Sequence, residues 1–312
     1  GIDKDLLHLV TGKLAHRGPD AAGYYVAPSA QVGLGHRRLS IIDTSTSANQ
    51  PMHSADGRYV IVFNGEIYNF RQLKSRLPGF GWKTSGDTEV IVELFAHFGS
   101  QVFGWLNGIF ALAIYDSRED QLWLARDALG VKPLFISRTE GRFSFASELK
   151  ALALVGRPAA AAHAVPLFLH LGYIPEPYTI YEGVEKFPAG CFGLFAPRQQ
   201  EWVLTRYWNA EDHYRSAAKG EKEEQVLERG KELLFAAVER QMISDVPLGT
   251  FLSGGIDSSL VTAVAAQVRG GGQKLKTFSI GFDEPRFDES EFAGKVATHL
   301  HTDHHLFRVS EQ

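Results

Sequence analysis

The chain has 312 residues, which is more than one hydrophobic core usually organises, so we expect two domains. Its formal net charge of −4, with no basic run interleaved with aromatic residues, argues against nucleic acid binding. No apolar run approaches the roughly 18 residues of a membrane-spanning helix, so we expect no membrane partner.

From the N-terminus to about residue 208, short β patterns alternate with helical ones. Leu6, Leu7, Val10 and Leu14 predict an early helix, and residues 88–98 carry apolar side chains at helical spacing. Strands are predicted at residues 59–63, 109–115, 121–125, 133–136 and 143–146. Strand groups interrupted by helices predict stacked sheets with helices outside.

Four motifs rich in polar side chains punctuate this region. They are His16-Arg17-Gly18-Pro19-Asp20, Arg38-Leu39-Ser40-Ile41-Ile42-Asp43, Asn64-Gly65-Glu66-Ile67-Tyr68-Asn69 and Ser85-Gly86-Asp87-Thr88-Glu89. Taken alone, Asn64-Gly65 is a typical turn dipeptide, and Asp87 is a typical helix N-cap.

The second half of the chain changes character. Residues 209–225 are polar and charged, which predicts a linker, and from Val226 the apolar spacing becomes helical. A strand–helix alternation follows and predicts a parallel α/β sheet, with strands at 248–252, 275–280 and 305–309 and helices at 260–268 and 291–300.

The strand at 248–252 leads into a heptad, Ser253-Gly254-Gly255-Ile256-Asp257-Ser258-Ser259. Two glycines let backbone N–H groups turn toward one point, and the helix N-terminus that follows adds unpaired donors and the positive end of its dipole. This order predicts a phosphate cradle. It is not a Walker loop, because no Gly-Lys-Ser/Thr follows at the required spacing. The alternative is an ordinary capped strand-to-helix turn.

The heptad resembles the pyrophosphate loop of enzymes that split ATP between its α and β phosphates. Together with the four upstream motifs, the chain is similar to glutamine-hydrolysing asparagine synthetases of the bacterial B type over nearly its whole length. The resemblance implies a four-layer αββα N-terminal-nucleophile (class II) glutaminase domain at 1–208. A linker at 209–225 and the start of a parallel-sheet α/β ATP-pyrophosphatase domain at 226–312 would follow.

For the first domain, the resemblance implies a glutamine site. Arg38 would bind the α-carboxylate through its planar fork, and Asp87 would bind the α-ammonium group. Asn64 and Gly65 would form the oxyanion hole. The full implied set is Arg38, Leu39, Ser40, Ile41, Ile42, Asn64, Gly65, Glu66 and Asp87.

For the second domain, the resemblance implies adenylation of aspartate by ATP, with ammonia then attacking the β-aspartyl-AMP. The implied ATP and pyrophosphate site comprises Leu252, Ser253, Gly254, Gly255, Asp257, Ser258, Ser259 and Ile280, with Asp257 also a ligand of Mg²⁺. The resemblance is compatible with a homodimer. The single cysteine, Cys191, is typical of a reducing cytoplasm.

One departure concerns the nucleophile, which in this family is an N-terminal cysteine. Position 1 is glycine, and Cys191 follows Phe187-Pro188-Ala189-Gly190 in an apolar stretch that predicts a packed core residue. We therefore expect the chain as given to bind glutamine without hydrolysing it. Both ends look cut, and we expect a fragment rather than a degenerate enzyme.

Three alternative functions stay open. A relative could amidate another carboxylate, for example in cell-surface polysaccharide assembly. A β-lactam-forming relative would also lack the cysteine, but it would not be expected to keep the glutamine-binding residues that this chain has. A non-enzymatic glutamine- and ATP-binding module is the third. Four histidines crowd one stretch near the end (His299, His301, His304, His305) and suggest zinc as a further alternative. His301 stands where a left-handed helix cap is expected.

Overall fold

The computed structural model describes residues 1–29, 31–139, 141–197, 201–215, 222–270, 272 and 274–310. The chain divides into two compact units, Gly1–Ser216 and Ala217–Gln312. Each unit has its own β-sheet and its own buried apolar side chains.

The first unit mixes antiparallel strands with short helices. Its strands are β1 (Ala21–Val26), β2 (Gly33–Arg38), β3 (Met52–His53), β4 (Tyr59–Ile67), β5 (Gly108–Asp116), β6 (Gln121–Arg126), β7 (Phe135–Thr139), β8 (Arg142–Ala146), β9 (Val184–Lys186), β10 (Cys191–Ala196) and β11 (Glu201–Arg206). Its α-helices are α1 (Lys4–Gly12), α2 (Phe70–Lys74), α3 (Asp87–Phe98), α4 (Leu149–Gly156), α5 (Ala164–Leu171) and α6 (Ala210–Arg215). Residues Thr46–Ala48 and Gly99–Trp105 form 3₁₀ turns.

Most of these strands join one antiparallel sheet in the order β11-β10-β6-β5-β4-β3. Its centre is the long β4–β5 pair, in which Tyr59 lies opposite Asp116 and Ile67 lies opposite Gly108. The strands β1 and β2 form a separate ribbon, and β8-β7-β9 form a third sheet.

Strand β4 is apolar at consecutive positions because both of its faces are buried. Val62 belongs to a core that also contains Leu34 of β2 and Ile136 of β7, so this face packs against the two smaller sheets. On the opposite face, Tyr59 packs edge-on against Phe95 of α3, with ring centroids 5.3 Å apart.

Helices cover both outer surfaces of the first unit. On one side α3 contacts β3 and β4, while on the other α1 contacts β2 and α4 contacts β7 and β8. Val90, Ile91, Leu94 and Phe95 of α3 are each at most 2% exposed. Burying one such side chain is worth about 1.5–3 kcal/mol, so tertiary packing holds this helix in place. The predicted four-layer αββα arrangement is confirmed.

The second unit is an α/β structure. It contains α7 (Glu223–Gln241), β12 (Gly249–Phe251), α8 (Ile256–Arg269), β13 (Lys276–Phe282), α9 (Ser290–His299) and β14 (Asp303–Val309). The strands form a parallel sheet in the order β12-β13-β14, as the alternating pattern predicts. A core of Val238, Val264, Ala265 and Leu275 joins α7, α8 and the start of β13.

The two faces of this parallel sheet differ. Thr277 and Ser279 of β13 are at most 5% exposed, whereas Ile280 of the same strand is 53% exposed. Phe251 and Phe307, on the flanking strands, lie near Phe278, and both are exposed.

Two local expectations need correction. Asn64-Gly65 is not a turn: both residues lie inside β4, opposite Ala111 and Phe110 of β5, because ladder pairing overrides their turn preference. Asp87 is the first residue of α3, and Gly86 is its N-cap.

Several other positions bear on the sequence expectations. Cys191 is 2% exposed and packs in the core, as predicted, and His301 adopts the predicted left-handed backbone with φ 54°. Part of the predicted linker at 209–225 is helical, since it contains α6 and the first turn of α7, while residues 216–221 lie outside the described residues. Within the described ranges, no helix is both long enough and apolar enough to cross a membrane.

Candidate functional site

A cavity of about 710 Å³ opens in the first unit, between β2 and the carboxyl end of β4. Most of the predicted glutamine-site residues line it together: Arg38, Leu39, Ile41, Ile42, Asn64, Gly65, Glu66 and Asp87. Ser40 does not appear on this wall; its backbone N–H donates to Asp20 Oδ2 at 2.7 Å. The apolar side chains of Leu39 and Ile41 are 55% and 39% exposed at the rim.

Arg38 is the buried cation of the cavity, with 7% of its surface exposed. Its Nη1 donates to Ser45 O at 2.7 Å and to Asn49 Oδ1 at 2.8 Å, and its Nη2 donates to Asp43 O. Within the described part of the chain, its Nε donates no hydrogen bond to protein. The guanidinium therefore holds a loop with one end and keeps donors on the Nε side for a carboxylate.

The polar side chains near the carboxyl end of strand β4 lie on one face of the strand. Alternation places Asn64 and Glu66 on the same face as Val62, toward the cavity. Asn64 Nδ2 lies 3.5 Å from Ser147 Oγ, at the end of β8. A Cβ at Gly65 would lie 2.1 Å from the carbonyl oxygen of Ile109, so only glycine allows this close pairing with β5.

Two carboxylates face the same space. Asp87 is 7% exposed, and its Oδ2 accepts the backbone N–H of Ile67 at 2.9 Å. Burial raises the pKa of Asp87 to about 6, although the hydrogen bond from Ile67 opposes the rise. Burial, and then the negative charge of Asp87, raise the pKa of Glu66 to about 7. Such a pair is poised to receive a cation.

The structure adds Lys132 to the cavity wall, a residue that motif reading missed. Its backbone N–H donates to Asp127 Oδ2 at 3.0 Å, and its carbonyl accepts from Arg126 Nε at 2.8 Å. Its positive charge lowers the pKa of Glu66 and so opposes the effect of burial. The signal that could have found it is the run from Arg126 to Lys132, a charged strand end followed by a glycine turn.

His36 of β2 also lines the cavity. Its Nε2 donates to Phe63 O at 3.1 Å, since a carbonyl can only accept, and burial lowers its pKa to about 4. The ring is therefore neutral near pH 7. In the described ranges, its buried Nδ1 has no hydrogen-bond partner.

The first sequence motif reaches the cavity wall through Arg17. His16 Nε2 and Arg17 Nη1 lie 2.9 Å and 3.2 Å from Glu148 Oε1, and Lys150 Nζ lies 2.9 Å from Glu148 Oε2. These contacts tie the motif to the start of α4, immediately after Ser147.

The second predicted site lies in the second unit, where β12 turns into α8. Gly254 has φ 85°, and a Cβ there would lie 2.6 Å from Phe292 Cβ, so the loop presses against α9. Ser253 Oγ and Ser258 Oγ are 2.9 Å apart, and Gly255 N donates to Ser253 Oγ at 3.3 Å. The predicted compact strand–loop–helix connection is present.

The remaining members of this set surround the loop. Asp257 is exposed on the first turn of α8, while the buried Oγ of Ser259 has no partner among the described residues. Leu252 is 1% exposed, and its N–H donates to Phe278 O at 2.8 Å. Ile280 is on β13, which pairs with β12, and its side chain is 53% exposed.

The histidines near the end are spread over two elements. His304 Nδ1 lies 2.9 Å from Thr277 Oγ1, and His305 Nε2 lies 3.3 Å from Asp303 Oδ2. Over the described positions, no three His, Cys, Asp or Glu side chains group as metal ligands.

The fold and the first cavity define a class of protein. The chain belongs to the glutamine amidotransferase domain family, which matches residues 2–208. The fold is similar to that of the glutamine phosphoribosylpyrophosphate (PRPP) amidotransferase from B. subtilis complexed with ADP and GMP, with a TM-score of 0.51 and 15% identity over 97% of this chain and 78% of that chain. This likeness confirms the N-terminal-nucleophile type of fold.

A second family, asparagine synthase, matches residues 229–312. The chain is 35% identical to the putative asparagine synthetase [glutamine-hydrolyzing] 2 of Methanocaldococcus jannaschii, over 100% of this chain and 63% of that protein. It is 33% identical to the asparagine synthetase [glutamine-hydrolyzing] 1 of Bacillus subtilis, over 95% of this chain and 46% of that protein. The resemblance found in the sequence is confirmed, and the chain spans about half to two thirds of these relatives' length.

Proposed function

We propose that the cavity of the first unit binds L-glutamine. Arg38 binds the α-carboxylate with its Nε edge, and Asp87 with Glu66 binds the α-ammonium group. The side chain then extends toward Asn64 and Gly65, where an amide N–H donor and a backbone N–H stabilise an oxyanion.

One observation carries this proposal. A buried guanidinium and two carboxylates with raised pKa values line one cavity, and an α-amino acid carries the complementary pair of charges. Leu39, Ile41 and Ile42 form the neighbouring rim.

Glutamine hydrolysis requires a nucleophile in this cavity. Gly1 lies on the cavity wall, and the thiol of Cys191 is 2% exposed in the core, where burial raises its pKa. Cys191 is therefore not the nucleophile of this cavity.

The loop of the second unit binds the phosphates of ATP. The backbone N–H of Gly254 and the hydroxyls of Ser253 and Ser258 face the departing pyrophosphate at the start of α8, while the N–H of Gly255 holds Ser253 Oγ and the hydroxyl of Ser259 is buried. Leu252 and Ile280 contact the nucleotide. The exposed Asp257 suits Mg²⁺, which typically takes one or two protein carboxylates and completes its shell with phosphate and water oxygens. Magnesium, when bound, neutralises phosphate charge.

The complete reaction that we propose is ATP-dependent synthesis of asparagine. A β-carboxylate oxygen of aspartate attacks the α phosphorus of ATP and pyrophosphate leaves; ammonia then displaces AMP from the acyl carbon. The single buried Cys191 supports a reducing cytoplasm as the setting.

Calorimetric titration of the 312-residue chain with L-glutamine tests the first site. We expect saturable binding that D-glutamine does not reproduce. Absence of any heat of binding with L-glutamine would refute the assignment, as would competition of D-glutamine with L-glutamine for the site. For the reaction, aspartate should stimulate pyrophosphate release in a longer protein that contains this chain, and release that other acids stimulate equally would contradict asparagine synthesis.

A further inference from the structure

The loop between β2 and β3 begins at Arg38 and contacts the segment that precedes Asp87. Asp43 stands in it with φ 53° and is 8% exposed. A left-handed backbone is uncommon for a non-glycine residue and persists where the surroundings determine it.

On one side, this loop is held by Arg38. The guanidinium donates to the carbonyl oxygens of Asp43 and Ser45 and to the side chain of Asn49. The position of the guanidinium and the path of the loop therefore determine each other.

On the other side, the Asp43 carboxylate reaches the segment that begins α3. Its Oδ2 accepts the backbone N–H of Ser85 at 2.7 Å, and its Oδ1 accepts the N–H and the hydroxyl of Ser45 at 3.1 Å and 2.5 Å. Ser85 lies two positions before Asp87, and a Cβ added at Gly86 would be in ordinary van der Waals contact with the Asp43 Cβ, at 3.5 Å.

We propose that Asp43 is a positioning residue that fixes the separation between the Arg38 guanidinium and the Asp87 carboxylate. It thereby selects ligands whose carboxylate and ammonium groups are spaced as in an α-amino acid. This inference rests on the proposed glutamine site.

The chemistry of the carboxylate suits this task. Burial alone would raise the pKa of Asp43, but hydrogen bonds from Ser45 and Ser85 hold it below its usual value. An ionised carboxylate offers two acceptor oxygens, one for each side of the bridge. Asparagine offers one acceptor and would turn an N–H₂ donor toward one of the two sets of donors.

The test compares ligands that use both ends of the site with ligands that use one. L-glutamine uses both, glutaramate lacks the α-ammonium group, and γ-aminobutyramide lacks the α-carboxylate. In Asp43→Asn, which tolerates the left-handed backbone, we expect the Kd of glutamine to rise about tenfold or more, and the Kd of each one-ended ligand to change less than about threefold.

Asp120→Asn is the matched control. Asp120 is also buried, has φ 53°, and accepts the Tyr115 hydroxyl at 2.8 Å in the turn between β5 and β6. It should leave all three Kd values unchanged. Thermal unfolding checks that each variant folds. If Asp43→Asn does not fold, Asp43→Gly tests the positioning role, because it removes the carboxylate and glycine adopts the left-handed backbone without strain.

The outcomes separate the two claims. Equal weakening of all three ligands, or no weakening of glutamine, would overturn the positioning role while leaving the glutamine site intact. Failure of the unaltered chain to bind glutamine would instead overturn the proposed function.

Discussion

Arg38 anchors the loop through Ser45 and Asn49, and in the proposed function its Nε edge binds the ligand carboxylate. Lysine preserves the charge but lacks the planar fork. We predict that Arg38→Lys raises the Kd of glutamine about tenfold or more and hardly affects γ-aminobutyramide, which has no carboxylate. Competition calorimetry with both ligands measures this, with Arg71→Lys on the exposed surface of α2 as the control. Equal losses for both ligands would argue against a carboxylate contact.

The carboxylates of Glu66 and Asp87 predict how glutamine binding depends on pH. Their pKa values are raised to about 7 and about 6, so lowering the pH toward 5 protonates both groups before a ligand arrives. An ammonium ion binds the ionised forms, and its affinity must fall by about tenfold for each pH unit below the pKa of a required carboxylate.

This dependence can be measured by titrations in buffers of different ionisation enthalpy between about pH 5 and about pH 8. Binding should release protons near neutral pH. Asp87→Asn should weaken binding and flatten the profile. The raised pKa values of Glu66 and Asp87 also affect folding stability. Between about pH 4 and about pH 7 the folded state binds more protons than the unfolded state, so the contribution of these two groups to stability decreases as the pH rises.

Some long-range contacts could not be found from local patterns. Asp43 and Ser85 are 42 positions apart, and only the folded chain brings them together. Lys132, in the loop between β6 and β7, acts on Glu66 of β4, which is far away in the sequence. Arg38, Asn64, Gly65, Glu66 and Asp87 were predicted as one set because a family resemblance carries long-range information that periodicity does not.

At the scale of elements, apolar periodicity located α3, α7, β4 and the strands of the parallel sheet to within a few residues. It failed where two preferences conflict. Asn64-Gly65 favours a turn locally, but nine consecutive cross-strand pairs between β4 and β5 outweigh that preference.

The connection from β12 to α8 yields a stability prediction. Gly254→Ala places a Cβ 2.6 Å from Phe292 Cβ at φ 85°, so we expect it to lower the free energy of unfolding by about 2 kcal/mol or more and to weaken ATP binding. Urea unfolding followed by circular dichroism, with nucleotide titration alongside, measures both effects.

Gly230→Ala is the matched control, since nothing lies within 4 Å of an added Cβ in the middle of α7. It should stabilise the chain by about 0.5–1 kcal/mol and leave nucleotide binding unchanged. A Gly254→Ala variant as stable as the unaltered chain would contradict the close approach between the loop and α9.

At the scale of the whole molecule, the proposed glutamine and ATP sites belong to different compact units. We predict that each ligand depends on its own set of residues. Arg38→Lys should weaken glutamine binding and leave ATP binding unchanged. Asp257→Asn should reduce the effect of Mg²⁺ on ATP binding and leave glutamine binding unchanged. Cross-titration of both variants with both ligands checks this, and a loss of ATP binding in Arg38→Lys would show that the assignment of separate sites is wrong.

The alternation along β4 has a genetic consequence. Val62 and Asn64 share one face of the strand, while Tyr59 packs against a helix on the other. Removing the codon of Val60 or Ile61, between Tyr59 and Val62, would move every following side chain to the opposite face of the strand, sending Asn64 into the apolar interior and Phe63 toward the polar cavity. An in-frame deletion library should therefore be depleted across these codons far more than a missense library is, even though no amino acid would be replaced.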